Sequence, residues 1–581
     1  MRPVTAAALL AALASAPLAA QHLPPRTPLT AQQRADSARA VRQARAAQAA
    51  FERTRVRNLP WSEDGGRGGT ECDEIIGRFC LWYDDEEDDW TPPPEPASVS
   101  TARGRLLARL DSAARRAPGD QWIAGQRVRY QVEGGGATEA VAAARECRST
   151  AWWCRALEGY AAHAARQYGA ADTAFTAALA VMPAGERRDW LDLQSVIEHD
   201  DSRLLRRMDA AAREAAVRRL WWLADPLWME PGNDRKTEHF ARLVHDRLQD
   251  RARTTEGIAW GDDLREIVLR FGMPIGWERI RPDVGQPGGP PSLIIHHTPH
   301  GREFLPRLDP KAPLGIRAPD GERMLNKRAR TTYASLQVSQ MDTLAHQVAV
   351  FRRGDSAVVV AGLALDADSL PPGAVTEAAV VLAESDTSAM WMERARASGA
   401  TAAVRVVVPA RTAMLSLEAR EVASRRAGRA RYALSLEPPA PGMAISDILL
   451  LADPAARPAT LDEAAPLARP GTRFQAGDRV GLFWEVYRDA PGSDSLRLSL
   501  ALSRRESGGV RRMAERIGLA PSAAPVRMRW TEEPGGAALL ARATTVALPR
   551  RLPPGEYLLE VTVQPPRGQP VTRSRIITIT R

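Results

Sequence analysis

Lysine is nearly missing. Lys236, Lys311 and Lys327 are the only three in 581 residues, and every other basic side chain is arginine. The formal charge of +9 is scattered along the chain and interleaved with acids. Nucleic-acid binders concentrate basic charge on one face or in one element, so the pattern argues against a nucleic-acid partner. Long apolar runs are also missing. No stretch reaches the roughly 20 apolar residues that cross a bilayer, so no membrane span is expected. Motifs that carry chemistry are lacking as well: no HExxH, no GxSxG, no phosphate loop and no dinucleotide-type glycine context. "VEGGGAT", 132–138, is glycine-rich but reads as an interhelical turn. The sequence offers no catalytic residue, no metal ligand set and no cofactor site.

Cysteine is scarce, with Cys72, Cys80, Cys147 and Cys154 making up the complement. An even count in an exported chain reads as disulfides, with three connectivities open and the two local pairs the most economical. Zinc is the competing use, but the spacing lacks paired CxxC and no histidine is near. Cys147 and Cys154 set a geometric condition. On one unbroken helix their Cα atoms would stand about 10 Å apart at 1.5 Å per residue, whereas a disulfide needs about 4.4–6.8 Å. A bond between them therefore requires a break at "RST", 148–150, where Ser149 or Thr150 can cap a new helix.

Export is read from the beginning, "MRPVTAAALLAALASAPLAAQ". Arg2 precedes an apolar run from Val4 to Leu13, and small residues follow to Ala19-Ala20, the layout of a secretory signal over 1–20. Cleavage is expected after Ala20. No cysteine follows that site, so no lipid anchor is expected there. The protein is expected outside the cytoplasm, periplasmic or secreted.

At about 100–200 residues per domain, the chain holds three or four domains. Residues 21–98 read as a peripheral, alanine-striped helix capped by Thr30, then a disulfide loop and the acidic run "DDEEDD", 84–89. That run lacks the ligand spacing and glycine turn of a calcium loop, and reads as solvated acid. Residues 99–215 are helical. Within them Gly159, Tyr168, Ala171, Phe175, Ala178, Leu179 and Pro183 fall at the spacings of a tetratricopeptide repeat, with Trp122 to Cys147 as a degenerate copy. A generic helical bundle is the competing reading. Repeat units of this kind bind peptides or proteins.

Residues 216–330 begin with Trp221, Trp222 and Trp228, then a helix capped by Asn233 or Asp234. In "GIAWGDDLREIVLRFGMPIGW", 257–277, Leu264, Ile267, Val268 and Phe271 stand at i, i+3, i+4 and i+7, a helical stripe. Asp262 or Asp263 is expected as its cap with Glu266 complementing it, Gly272 as its terminator, and Pro274 as the block to continuation. A strand should start at 275–281. From 331 the chain reads as two antiparallel β-sandwiches of Ig-like type, 331–440 and 441–581, divided near "EPPAPGM", 437–443. "RRGD", 352–355, is a hairpin turn. The expected fold class is therefore α+β multidomain.

The stretch formed by Gly257, Trp260, Asp262, Asp263, Phe271, Gly272 and Pro274 resembles the signature of the GWxTD-domain family. "WWLADPLWMEPGNDRKTEHFARLV" resembles that family's preceding segment, and "ISDILLLA" with "LFWEVYR" its downstream β-domain. The resemblance spans about 220–581. Gly261 stands where threonine is usual, and two residues are inserted in the Gly-Trp. It implies an exported chain of this architecture and supplies no catalytic residue.

The expected function is a non-enzymatic binding or scaffolding protein of a bacterial envelope that engages a protein partner. Trp221, Trp222 and Trp228 are candidate partner-binding residues, with core packing between helices as the competing reading. An envelope enzyme acting on glycan or peptide is the alternative, with a site near His296, His297 and His300. Histidines converging with a carboxylate in a cleft would mark it. Carbohydrate binding is a third option and would need Trp221, Trp222 and Trp228 aligned on one exposed face.

Overall fold

The computed structural model describes residues 30–62, 72–81, 90–281, 293–298, 301–309, 316–317, 328–436, 442–488, 495–505, 526–533 and 537–581. The signal segment, the acidic run 84–89 and His300 lie outside them. The chain is an α+β multidomain protein.

Helix α1 (Ala31–Arg57) opens on a capping box. The Thr30 hydroxyl accepts from the Gln33 amide at 3.1 Å, and the Gln33 side chain accepts from the Thr30 amide at 2.9 Å. This helix is not peripheral. Ala40, Ala44 and Phe51 pack with Leu106 and Leu110 of α2 (Ala97–Arg116), and its last turns bury Gln48, Glu52 and Arg55. Alanine lets the backbones approach, and the buried polar residues find partners on α3 (Gln121–Glu133), where Gln48 donates to the Tyr130 hydroxyl at 2.8 Å.

Helices α4 (Ala137–Arg145) and α5 (Ala151–Ala164) are broken where the cysteine geometry demands. Cys147 and Cys154 are bonded with Cα atoms 5.5 Å apart, and Cys72 and Cys80 with Cα atoms 5.6 Å apart. Thr150 occupies the N-cap of α5, but its hydroxyl does not cap; it accepts from the Gln121 side chain at 3.3 Å. Helix α6 (Tyr168–Val181) lies against α5. A Cβ on Gly159 would sit 2.7 Å from the Phe175 ring, so a small residue and an aromatic interlock there. Tyr168, Ala171, Phe175 and Ala178 are all buried.

After α7 (Ala184–Trp190), α8 (His199–Arg207) and α9 (Ala210–Ala224), a turn leads into α10 (Asp234–Gln249), capped by Asn233, whose carbonyl oxygen accepts from the Lys236 amide at 2.8 Å. Helix α11 (Asp262–Phe271) follows.

The strands begin with two small pieces. The hairpin β1 (Glu74–Ile76) and β2 (Phe79–Leu81) is closed by Cys72–Cys80, and β3 (Gly276–Arg279) pairs with β4 (Leu293–His296). β5 (Arg307–Leu308) and β6 (Ile316–Arg317) form a minimal pair.

The first large β unit holds β7 (Gln340–Thr343), β8 (Ala345–Arg353), β9 (Ser356–Ala364), β10 (Val375–Ala383), β11 (Met390–Ser398), β12 (Thr401–Pro409), β13 (Ala413–Glu421) and β14 (Arg426–Leu434). A five-stranded sheet, β11-β10-β13-β14-β7, and a three-stranded sheet, β12-β9-β8, share a core built from Val359, Leu363, Val380, Val404, Val406, Leu415 and Leu417. The "RRGD" turn joins β8 to β9 with Gly354 at φ +60°, where glycine is favoured.

The second unit holds β15 (Ala444–Ile445), β16 (Leu449–Leu451), β17 (Arg473–Gln475), β18 (Arg479–Tyr487), β19 (Leu496–Arg504), β20 (Val526–Glu532), β21 (Leu539–Ala547), β22 (Gly555–Gln564) and β23 (Val571–Thr580). Strands β18 and β21 with β15 and β16 face β17-β23-β22-β19-β20 across a core that includes Trp484, Leu500, Tyr557 and Val561.

"ISDILLLA" is not one strand. Ser446 and Asp447 interrupt it; Ser446 bonds the Glu485 backbone within the second unit, and Asp447 and Glu485 reach across to the first. The Asp447 carboxylate accepts from the Val350 amide at 3.1 Å, and Glu485 accepts from both terminal nitrogens of Arg353 at 2.7 and 2.8 Å.

The tryptophans seal the junction between the helices and the first β unit. Trp221, Trp222 and Trp228 share one core with Ala379, Val381, Met414 and Ala427 of the five-stranded sheet. Trp222 and Trp228 stack with centroids 4.4 Å apart. The candidate partner-binding role of these residues is therefore corrected, and the exposed face that carbohydrate binding would need does not form: the three rings are 4–8% exposed, because the outer face of this sheet is apolar and needs cover.

Candidate functional site

The residues of the 257–277 stretch are tied into structure. Asp262 and Asp263 do not cap α11; Gly261 takes the N-cap position and makes no side-chain bond. Asp263, inside the first turn, accepts from the Leu264 amide at 2.8 Å, holds Arg78 at the tip of the β1–β2 hairpin, at 2.6 and 2.8 Å, and accepts from the Arg78 amide at 3.2 Å. The Arg78 hydrogen bond brings the Asp263 carboxyl down to about 2. Its contribution to stability is present above the ordinary aspartate value and is lost as pH falls towards 2. Arg78 is half exposed, so Asp263→Ala is expected to cost only about 1 kcal/mol in urea unfolding, and to speed proteolysis of the hairpin.

Gly272 ends α11 at φ +100°, a conformation that favours glycine. The carbonyls left over at that helix end are taken by a buried arginine. Arg242 donates to Leu269 and Arg270 at 3.0 and 3.2 Å, and to Thr332 at 3.0 Å. The indole N–H groups of Trp260 and Trp277 are paired too, to Asp246 at 2.8 Å and Glu256 at 2.9 Å.

The histidine candidates diverge. His296 stacks on Trp90 with centroids 3.7 Å apart and sets Nε2 3.3 Å from Glu278. His297 turns the other way and places Nδ1 2.8 Å from the Gly272 carbonyl, which can only accept, so Nδ1 carries the proton. Burial takes this imidazole down to about 4. Among the described residues no group of three or more metal-ligating side chains comes together.

A cleft of about 730 Å³ lies between the helices and the β3–β4 hairpin. Its walls are aromatic, proline and aliphatic: Trp90, Pro92 to Pro94, Val99, Ile275, Trp277 and Leu336. Gly276 makes room for one wall, since a Cβ there would lie 2.3 Å from the Trp90 ring.

The polar floor is already matched to itself. Glu133 receives Arg129 at 2.6 Å and also Arg55. Glu238 receives Arg242 at 3.0 Å and lies 2.6 Å from His163 Nε2, while His163 Nδ1 faces Thr237 at 3.0 Å. Burial pushes both carboxyls up, but the charges of Arg129 and Arg55 on Glu133, and of Arg242 and His163 on Glu238, overcome it and hold both well below the usual carboxylate range. Both ring nitrogens of His163 are engaged. His245 lies between the two clusters. Burial, with the Arg129 charge, takes it down to about 3, so it is a neutral imidazole. Its Nε2 faces the Gln249 amide at 3.0 Å, and its Nδ1 has no protein partner.

His163, Glu133 and Glu238 were not singled out from the sequence. The available signal was local: Arg129 with Glu133 and Glu238 with Arg242 are i, i+4 pairs, but that spacing is common on exposed helices.

No family model matches the chain, and no curated protein matches it in sequence. Among solved structures, a family 123 glycoside hydrolase from Clostridium perfringens, studied for glycolipid glycan hydrolysis, is similar at 12% identity and a TM-score of 0.13. It covers 24% of this chain and 27% of its own. A protein described as membrane-anchored, from Corynebacterium diphtheriae, is similar at 9% identity and a TM-score of 0.15, over 41% of this chain and 57% of its own. At such scores the likenesses carry no argument about fold or activity. Two disulfides fit an exported protein, and among the described residues no helix is long and apolar enough to cross a membrane.

Proposed function

We propose that the chain is an exported binding protein of the GWxTD-domain family, which holds an extended segment of a protein partner in the cleft between its helices and the β3–β4 hairpin. One observation carries this reading: the ionic groups of the cleft floor satisfy one another, whereas the aromatic, proline and aliphatic walls face open volume. A mostly apolar pocket with a few fixed polar groups is a recognition surface. Catalysis would want a group poised to move a proton near neutral pH; both ring nitrogens of His163 are engaged, and the open Nδ1 of His245 belongs to an imidazole that burial takes down to about 3. The tetratricopeptide-like spacing of α5 and α6 supports the same kind of partner.

The test is photo-crosslinking in the native envelope, with benzoyl-phenylalanine at Leu336 on the cleft rim or at Val407 on β12 of the first β unit, which is 52% exposed and does not line the cleft. Discrete protein adducts from Leu336 and none from Val407 are expected. The same adducts from both positions would sink the proposal. So would hydrolysis of a peptide or glycan by the purified chain, if His163→Asn abolished it.

A further inference from the structure

A second recess, of about 350 Å³, opens beside the cleft, and Leu336 lines both. We propose that this recess binds the C-terminal carboxylate of a peptide whose preceding residues run past Leu336 into the cleft. The proposal rests on the reading of the cleft as a peptide site and specifies which end of the peptide enters.

The recess is built around the start of α6. Gln167, Tyr168, Gly169 and Ala170 line it, Gln167 is the N-cap, and no side chain caps this helix. The first intrahelical bond in this turn is from the Ala171 amide to the Gln167 carbonyl, so the amides of Tyr168, Gly169 and Ala170 precede the ladder. Amides in this position, with the helix dipole behind them, favour an anion.

A helix start alone would not make a site. The second observation is the Tyr168 hydroxyl. Tyr168 is 4% exposed and lines the recess, yet its hydroxyl has no hydrogen-bond partner. A buried hydroxyl without a partner is costly and suggests a ligand oxygen.

The third observation is charge. Arg166 and Arg425 line the same recess, and their charges act on the Tyr168 phenol against those of Asp234 and Glu238, which do not line it. Among the described residues the Arg166 guanidinium pairs with none, and Arg425 spends one nitrogen on the Leu336 carbonyl at 2.7 Å. Glu230, the acid of the recess, is matched by Arg420 at 2.9 Å. Arg166 and Arg425 also hold left-handed backbone, at φ +59° each, which only one other non-glycine residue shares among those described. Strained backbone of this kind collects at ligand sites. Gly232, at φ +85°, lets the 231–232 turn pack closely: a Cβ there would lie 2.4 Å from the Gly169 amide nitrogen.

A carboxylate fits two guanidiniums, a helix start and a phenol better than a neutral group does. The neighbouring cleft asks for an extended apolar chain in front of it. Capture of a C-terminal carboxylate by backbone amides is an established mode of peptide recognition.

The experiment uses the full chain and a pool of synthetic hexapeptides with proline, aliphatic and aromatic residues, each made with a free C-terminal acid and as its amide. Dodecanoate is a separate arm. The free acids are expected to be retained at least about tenfold better than the amides. Arg166→Gln should abolish that preference. Tyr168→Phe should weaken acid binding about three- to tenfold without lowering Tm, because the hydroxyl has no partner to lose and its burial is a cost in the unliganded chain. Equal retention of acids and amides, retention of neither, or an unchanged preference in Arg166→Gln overturns the inference. Dodecanoate binding as tightly as the peptides overturns it in favour of a fatty acid. No acid preference in the native chain while Leu336 crosslinks persist removes this inference and leaves the cleft reading; absence of both removes both.

Discussion

Glu418→Ala is expected to destabilise the chain by about 3–5 kcal/mol, the cost of breaking a buried ion pair and leaving one charge uncompensated. Glu418 and Arg431 are both fully buried, 2.9 Å apart, at the junction between the helices and the five-stranded sheet. The carboxylate also accepts from the Trp228 amide at 3.0 Å and the Met229 amide at 2.8 Å, and so fixes the turn between α9 and α10. Arg431 lies over the Trp228 ring at 4.0 Å and donates to the Leu223 and Asp225 carbonyls at 2.9 Å each. Burial pulls its guanidinium below the ordinary value, and the Glu418 charge opposes that pull. Removing the carboxylate takes the acceptor from four donors, the Trp228 and Met229 amides, the Ser416 hydroxyl and the Arg431 guanidinium, and leaves one charge unpaired. Glu418→Leu combined with Arg431→Met should recover part of the loss, since it removes the charge. Recovery should stay incomplete, because the two backbone amides still lack a partner. Urea unfolding followed by tryptophan fluorescence reads both results. A loss below about 1 kcal/mol for Glu418→Ala would show that the junction adds little to stability.

The same junction shows where sequence was a sufficient guide and where it was not. Thr30 with Gln33, Asn233, Gly272 and the break between Cys147 and Cys154 were legible because each is a local device, with cause and effect within a few residues. Most strands from "HQVAVF" to "SRIITIT" were legible by alternation and β-branched content. Strands β11 and β20 were not: "MWMERARAS" and "VRMRWTE" are charged edge strands, with partners on one side only. Non-local pairing was hidden throughout. Nothing beside Asp263 announces Arg78, 185 residues away. Composition marked Trp221, Trp222 and Trp228 as conspicuous, but whether they meet a partner or the chain's own sheet depends on a contact about 190 residues downstream. The cleft is a harder case, because its lining comes from segments between Arg55 and Leu336 that no periodicity connects.

Lowering the pH should unfold the native chain more steeply than a His245→Gln variant. His245 is buried and neutral, with the charges of Arg129, Glu133, Glu238 and His297 facing it and Gln249 beside it on the same helix. Its folded value of about 3 lies below the ordinary 6.5. For a group depressed on folding, the contribution to stability is complete above the unfolded value and is lost as pH falls. Between pH 6.5 and about 3 the unfolded chain therefore takes up a proton at this position that the folded chain refuses. Each pH unit costs about 1.4 kcal/mol, or about 3 kcal/mol by pH 4.5. Other groups act in the same window. His297 adds its own loss, while burial holds Asp225, Asp234 and Glu256 above their ordinary values, so they work in the opposite sense. All of these are present in both proteins and cancel in the difference. The comparison is the urea midpoint of each protein at pH 7.5 and at pH 5, converted with a shared m-value. Parallel pH profiles would mean that His245 can take up a proton without unfolding the chain, which would make the cleft floor open to water and to charged ligands. Diverging profiles would mean that the floor stays neutral and closed, as expected of a cleft that grips the apolar body of a peptide and leaves its charged end to Arg166 and Arg425.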